Sequence, residues 1–99
     1  MKQYRFEAEA AVEFDVESAF LWYETEEPGL GFDFLRQLRI CYERLLRTPY
    51  TYQELRSGVR RALTKQFPYA VYYSVEADTV LILAVVHTAR DPAEWQQRL

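Results

Sequence analysis

The chain has 99 residues, 49% of them hydrophobic and 27% charged, with a formal net charge of −3. That size and balance describe one folded domain over residues 1–99 and exclude a disordered chain. The single cysteine, Cys41, excludes an internal disulfide and a cysteine-based metal site, and the one histidine, His87, stands in no cluster with metal-ligand spacing, so neither metal nor cofactor is expected.

In chain order, Tyr4-Arg5-Phe6 reads as a short strand. The start, Met1-Lys2-Gln3-Tyr4-Arg5, lacks the apolar stretch of a signal peptide. A helix is expected from about Glu9 to Glu26, with Val12, Val16, Ala19, Phe20 and Tyr23 at helical spacing. Glu7, Glu9, Asp15 and Glu17 crowd its first half, where the helix dipole favours anions. Pro28-Gly29-Leu30-Gly31 is a tight turn. A second helix follows from about Phe32 to Arg47, with Phe34, Leu35, Leu38, Tyr42, Leu45 and Leu46 as its apolar stripe and arginines on its other face. Thr48-Pro49 stops it.

The remainder reads as sheet. Val59 to Lys65 forms a strand that carries arginines, and Tyr69 to Val75 alternates with period two. Glu76-Ala77-Asp78-Thr79 closes a hairpin. Val80 to Val86 is apolar throughout, which predicts a central strand covered on both faces. It is also the longest apolar run and is too short to span a bilayer. These features lead us to expect a cytoplasmic protein with no membrane partner. The predicted order is β-α-α-β-β-β, an α+β architecture in which a helical hairpin covers one face of a twisted antiparallel sheet. The other face is left to solvent or to a partner.

Charge is unevenly spread. Residues 1–30 carry a balance of −6, residues 31–65 of +5, and residues 66–99 of −2. A basic middle segment suits nucleic acid or an acidic protein, and equally a solvated helix face with internal ion pairs.

The motifs taken together resemble the ParE/RelE toxin superfamily of type II toxin–antitoxin systems, with the ParE-like, plasmid-stabilisation branch nearest. Asp15-Val16-Glu17-Ser18-Ala19, Trp22-Tyr23-Glu24 and Pro28-Gly29-Leu30-Gly31 with Phe34 resemble its helical hairpin. Gly58-Val59-Arg60-Arg61 and Phe67-Pro68-Tyr69 with Val71-Tyr72-Tyr73 resemble its strands, and His87, Arg90-Asp91-Pro92 and Trp95 its C-terminal signature. The resemblance implies a toxin neutralised by a cognate antitoxin, as a homodimer or a toxin–antitoxin hetero-oligomer. ParE-like members poison DNA gyrase. RelE-like members cut mRNA on the ribosome without a metal, using basic residues and a C-terminal aromatic or histidine. The nuclease pattern is incomplete here, because the Tyr69–Val75 strand carries no arginine or lysine and Trp95 cannot exchange a proton. A protein-binding, gyrase-directed toxin is therefore the expected function, with a ribosome-dependent mRNA endoribonuclease, or a non-toxic binding module of the same fold, as the alternatives.

Individual residues have a sharp and a plain reading. In a nuclease, His87 would be the general base and Arg90 a phosphate clamp. Otherwise His87 hydrogen-bonds locally and Arg90 pairs with Asp91 or Glu94. Arg60 and Arg61 point to opposite faces of their strand. With Lys65, they offer target or antitoxin contact, or solubility alone. Of Tyr72 and Tyr73 at most one is exposed, and Tyr72 is the contact candidate. Trp22 lies off the core stripe and, if exposed, is an interface candidate for antitoxin or a second copy. Trp95 either contacts a partner or anchors a C-terminal turn.

Overall fold

A computed structural model describes residues 2–89. The elements are β1 (Arg5–Ala8), α1 (Ala10–Glu26), α2 (Leu30–Arg47), β2 (Glu54–Arg56), β3 (Val59–Leu63), β4 (Tyr69–Glu76) and β5 (Thr79–His87). Two helices pack on a five-stranded sheet of order β1-β5-β4-β3-β2. The α+β hairpin-on-sheet architecture agrees with the sequence.

The sheet is mixed rather than antiparallel. β1 runs parallel to β5, with Arg5 opposite Thr79 and Ala8 opposite Ile82, while every other pair is antiparallel. The reason is a strand that the sequence did not reveal. Glu54-Leu55-Arg56 pairs with β3 and adds one chain reversal between the helices and β3. Each connection turns the chain back, so one extra reversal changes the direction in which β5 meets β1. Three residues are too few to show a strand period.

α2 begins at Leu30, inside the expected turn. Its cap comes from the neighbouring helix. The Glu24 carboxylate of α1 accepts the backbone N–H groups of Gly29 and Gly31, each at 2.8 Å. A carboxylate at this end also suits the dipole of α2. Gly31 marks the close approach of the helices. A Cβ there would lie 2.7 Å from the Phe20 carbonyl oxygen and 2.7 Å from Glu24 Cγ.

The helices bury Val12, Ala19, Phe34, Leu38, Cys41 and Leu45 against Ala62, Phe67, Tyr69, Val71, Tyr73, Val80, Ile82 and Val85. Tyr23, Phe34, Phe67 and Tyr69 form an aromatic cluster with centroid spacings of 4.9–6.2 Å, within the favourable range for tilted and edge-on rings. The face of the sheet away from the helices is apolar too. Val59, Ala70, Tyr72, Ala84 and Val86 are buried on it. Tyr72 and Tyr73 are therefore both buried, at 5% and 0% exposure, which satisfies the expectation of at most one exposed ring but leaves Tyr72, the contact candidate, without an exposed ring to offer.

β5 carries a register shift against β4, between the Tyr73–Ile82 and Tyr72–Ala84 pairs, that leaves Leu83 as the extra residue. Ile82 and Val85 consequently face the helices although they are three positions apart. β1 pairs with β5 only as far as Ile82. Beyond it, the Asp15 carboxylate of α1 accepts the Val85 N–H at 3.1 Å and takes the place of a neighbouring strand.

Candidate functional site

Among the described residues, each charged candidate is placed by its own element. Arg60 is held from three sides. Its guanidinium donates to the Tyr52 carbonyl at 2.7 Å and the Tyr50 carbonyl at 3.3 Å, pairs with Glu54 at 3.3 Å, and lies 5.1 Å from the Tyr50 ring centroid. The planar, five-donor fork of arginine fits this role of gathering the loop before β2. In register Arg60 lies opposite Tyr73 and Arg61 opposite Tyr72, so the two arginines take opposite faces as expected. Arg61 is half-buried and Lys65 is exposed beyond the end of β3.

His87 ends β5 with its ring edge-on to Tyr69 at 5.2 Å. Its Nδ1 accepts the Ala89 N–H at 3.1 Å. In the neutral imidazole this leaves the proton on Nε2, which then donates and has no lone pair to serve as a base. The local hydrogen bond foreseen for His87 is thus present. Arg90 and Trp95 lie outside the described residues.

Burial raises the hydroxyl pKa of Tyr73, which donates to the Pro49 carbonyl at 2.6 Å, and the nearby Arg60 cation opposes the shift. Burial also raises Tyr42, and raises the Cys41 thiol against the opposing pull of Arg44. These groups stay neutral near pH 7, and a buried protonated thiol is a poor nucleophile. Among the described residues no group of three His, Cys, Asp or Glu side chains is placed to hold a metal ion. No described helix is long and apolar enough to cross a membrane.

The surface feature that stands out is α1. Its core face carries Val12, Val16, Ala19 and Tyr23, whereas Phe20, expected in the same stripe, is half-buried and meets Phe32 edge-on at 5.0 Å. On the opposite face Phe14, Leu21 and Trp22 are exposed at 74%, 54% and 62%. Trp22 was anticipated, whereas Phe14 and Leu21 were not. The signal was available, because Phe14, Ser18, Leu21 and Trp22 repeat at i, i+4, i+7 and i+8 and form a second stripe. α1 is a ridge with a groove along each flank. A groove of about 460 Å³ is lined by Phe14, Asp15, Ser18 and Trp22 with Tyr69, Val85 and His87. One of about 490 Å³ lies between Val16, Phe20, Phe6, Leu35 and Tyr42, rimmed by Glu9, Glu13 and Glu17. Phe6 rests on Tyr42 at 4.9 Å there.

The family model described as the ParE toxin of the type II toxin–antitoxin system parDE matches residues 6–92. Among solved structures, a chain of the chromosomal ParDE toxin–antitoxin system from P. aeruginosa superposes with a TM-score of 0.76 at 12% identity. The match covers 86% of this chain and 96% of that one, and at such low identity it speaks for the fold. None of the curated proteins matches the sequence.

Proposed function

The chain belongs to the ParE toxin family of type II toxin–antitoxin systems, and from that premise we propose that it arrests bacterial growth in the cytoplasm by binding DNA gyrase, and that a cognate antitoxin neutralises it. The observation that carries the reading is the contrast between the engaged Arg60 and His87 and the exposed apolar groups of α1. Arg60 is committed to two carbonyls and Glu54, and the Nδ1 lone pair of His87 is committed to Ala89. In-line RNA cleavage needs a free base and cations aimed at one phosphate. α1, in contrast, presents a phenylalanine, a leucine and a tryptophan to solvent, and aromatic anchors of this kind dominate protein–protein contacts. The protein acts on this reading by contact rather than by catalysis.

The test is an SOS-response reporter in bacteria in which the chain is induced without antitoxin. Growth arrest with a rising reporter is the expected result, because a poisoned gyrase leaves DNA breaks. Growth arrest with a flat reporter would refute gyrase as the target. It would point to ribosome-dependent mRNA cleavage, with His87 and Arg90 as the first residues to change.

A further inference from the structure

A pocket of about 390 Å³ lies at the end of the sheet away from His87. Lys2 and Tyr4, ahead of β1, form one wall, and Arg47, Thr48, Tyr50 and Thr51, in the turn that ends α2, form the other. The lining holds two cations and no carboxylate. No ion pair engages Lys2 or Arg47 among the described residues. Lys2 commits one of its three donors to the Ala77 carbonyl at 3.4 Å, and its Nζ lies 5.2 Å from the Tyr4 ring centroid. The Arg47 guanidinium and the hydroxyls of Tyr4, Tyr50 and Thr51 have no hydrogen-bond partner among the described residues. The turn itself is pinned. The Thr51 N–H donates to the Thr48 carbonyl at 3.1 Å, the Pro49 carbonyl accepts the Tyr73 hydroxyl at 2.6 Å, and the Tyr50 carbonyl accepts from Arg60 at 3.3 Å. The Arg60 guanidinium also supports the Tyr50 ring, 5.1 Å from its centroid, while Tyr50 stays 57% exposed.

We propose that this pocket binds a nucleoside phosphate, with the phosphate between Lys2 and Arg47 and the base stacked on the Tyr50 ring. Two unpaired cations ringed by hydroxyls call for an anion with several acceptor oxygens. A phosphate has them, and the planar fork of arginine meets two at once. A carboxylate has two oxygens, too few for both cations and the hydroxyls. The exposed ring takes a flat partner, and any base can stack on it. Because the turn and the ring are already held, little freedom is lost on binding. α2 ends here, and its dipole disfavours an anion, but the Thr48 N–H and hydroxyl already cover the Arg44 carbonyl and the two cations offset the rest. Glu43 stands one turn before Arg47 without an ion pair to it. The site is independent of the gyrase reading. It is also separate from His87, since β5 runs from Thr79 to His87 and spans about 27 Å at a rise of about 3.4 Å per residue. A free nucleotide and one unit of a single-stranded nucleic acid present the same chemistry to it.

The experiment titrates the full, isotope-labelled chain from cell-free synthesis with AMP, with a base-free sugar phosphate and with a single-stranded oligodeoxyadenylate, and follows backbone amide signals by NMR. The signals of residues 48–51 should shift with AMP, and those beside His87 should not. Lys2→Ala/Arg47→Ala should weaken AMP and the sugar phosphate alike, by about tenfold for two exposed charge pairs. Tyr50→Ala should weaken AMP about tenfold and leave the sugar phosphate unchanged, because only stacking is lost. The three positions are exposed, so melting curves should change little, and the shifts in the unmodified chain need no variant. Tighter binding of the oligonucleotide that the same substitutions weaken upholds the site with a strand as its source. Equal affinity per nucleotide upholds it with the free nucleotide as its source. No shift at residues 48–51 with AMP at about 10 mM, a concentration that fills even a millimolar site, would overturn the proposal. So would shifts that survive Lys2→Ala/Arg47→Ala, or an equal loss of AMP and sugar phosphate in Tyr50→Ala.

Discussion

Replacing Gly31 with alanine tests the packing of the helical hairpin. The added Cβ would sit 2.7 Å from the Phe20 carbonyl oxygen, 2.7 Å from Glu24 Cγ and 2.8 Å from Phe20 Cδ1. Ordinary contact begins at 3.4 Å, so the helices must part by about 0.7 Å. One of the three atoms is backbone and cannot swing aside. Overpacking of this kind costs about 1–3 kcal/mol. Parting the helices also stretches the Gly31 N–H bond to Glu24, a charge-assisted hydrogen bond of about 1.5–3 kcal/mol where it is well buried and less here, where it is partly exposed. Alanine returns at most about 1 kcal/mol through helix propensity. The net loss is about 2–3 kcal/mol, which lowers the melting temperature of a domain this size by roughly 8–20 °C. Thermal melting by circular dichroism reads it. Gly29→Ala is the control, since nothing lies within 4 Å of a Cβ there and its φ of +94° leaves only backbone strain of about 1–2 kcal/mol. A Gly31→Ala protein that melts at or above the original temperature would refute the close-approach argument.

Two further outcomes follow from the buried tyrosine and the loop clamp. The raised pKa of Tyr73 means that the folded chain keeps its phenolic proton where the unfolded chain loses it. Stability from this group is complete below about pH 10, the ordinary tyrosine value, and is lost as pH rises through the folded value. Urea melts between pH 8 and pH 11 (both rough bounds set around that value) should show stability falling at the alkaline end, less steeply in Tyr73→Phe, and equal slopes in the two proteins would contradict the assignment. Arg60→Ala removes donors from the Tyr50 and Tyr52 carbonyls and should cost about 2 kcal/mol, with faster amide exchange over residues 48–56. Its exposed pairing with Glu54 adds little. Lost growth arrest with unchanged stability would instead make Arg60 a contact residue.

The helices were legible because their burial repeats locally. Val12, Ala19, Phe34, Leu38 and Leu45 follow from spacing alone, and all five are buried. What escaped depends on distant partners. The start of α2 at Leu30 is fixed by a carboxylate from the preceding helix, β2 exists because β3 offers it a register, and Arg60 is spent on carbonyls eight and ten residues away. Tyr72 was expected to be a contact residue, and no strand pattern shows that both faces of β4 are buried. The outward stripe of α1 lies between these cases. Its spacing was plain in the sequence, but a second apolar face on one helix has meaning only once the first is known to be occupied by the core.

The parallel pairing of β1 with β5 also bears on how the protein comes into being. Arg5 meets Thr79, so the first strand has no sheet partner until 74 further residues have been made. At about 5–20 residues per second, translation takes some 4–15 s to cover that distance. Over that interval the helical hairpin can form from neighbouring residues while β1 remains unpaired and the apolar face meant for the sheet stays uncovered. Synthesis therefore imposes a delay between the first turn of helix and a closed fold, and its length is set by the ribosome rather than by the chain.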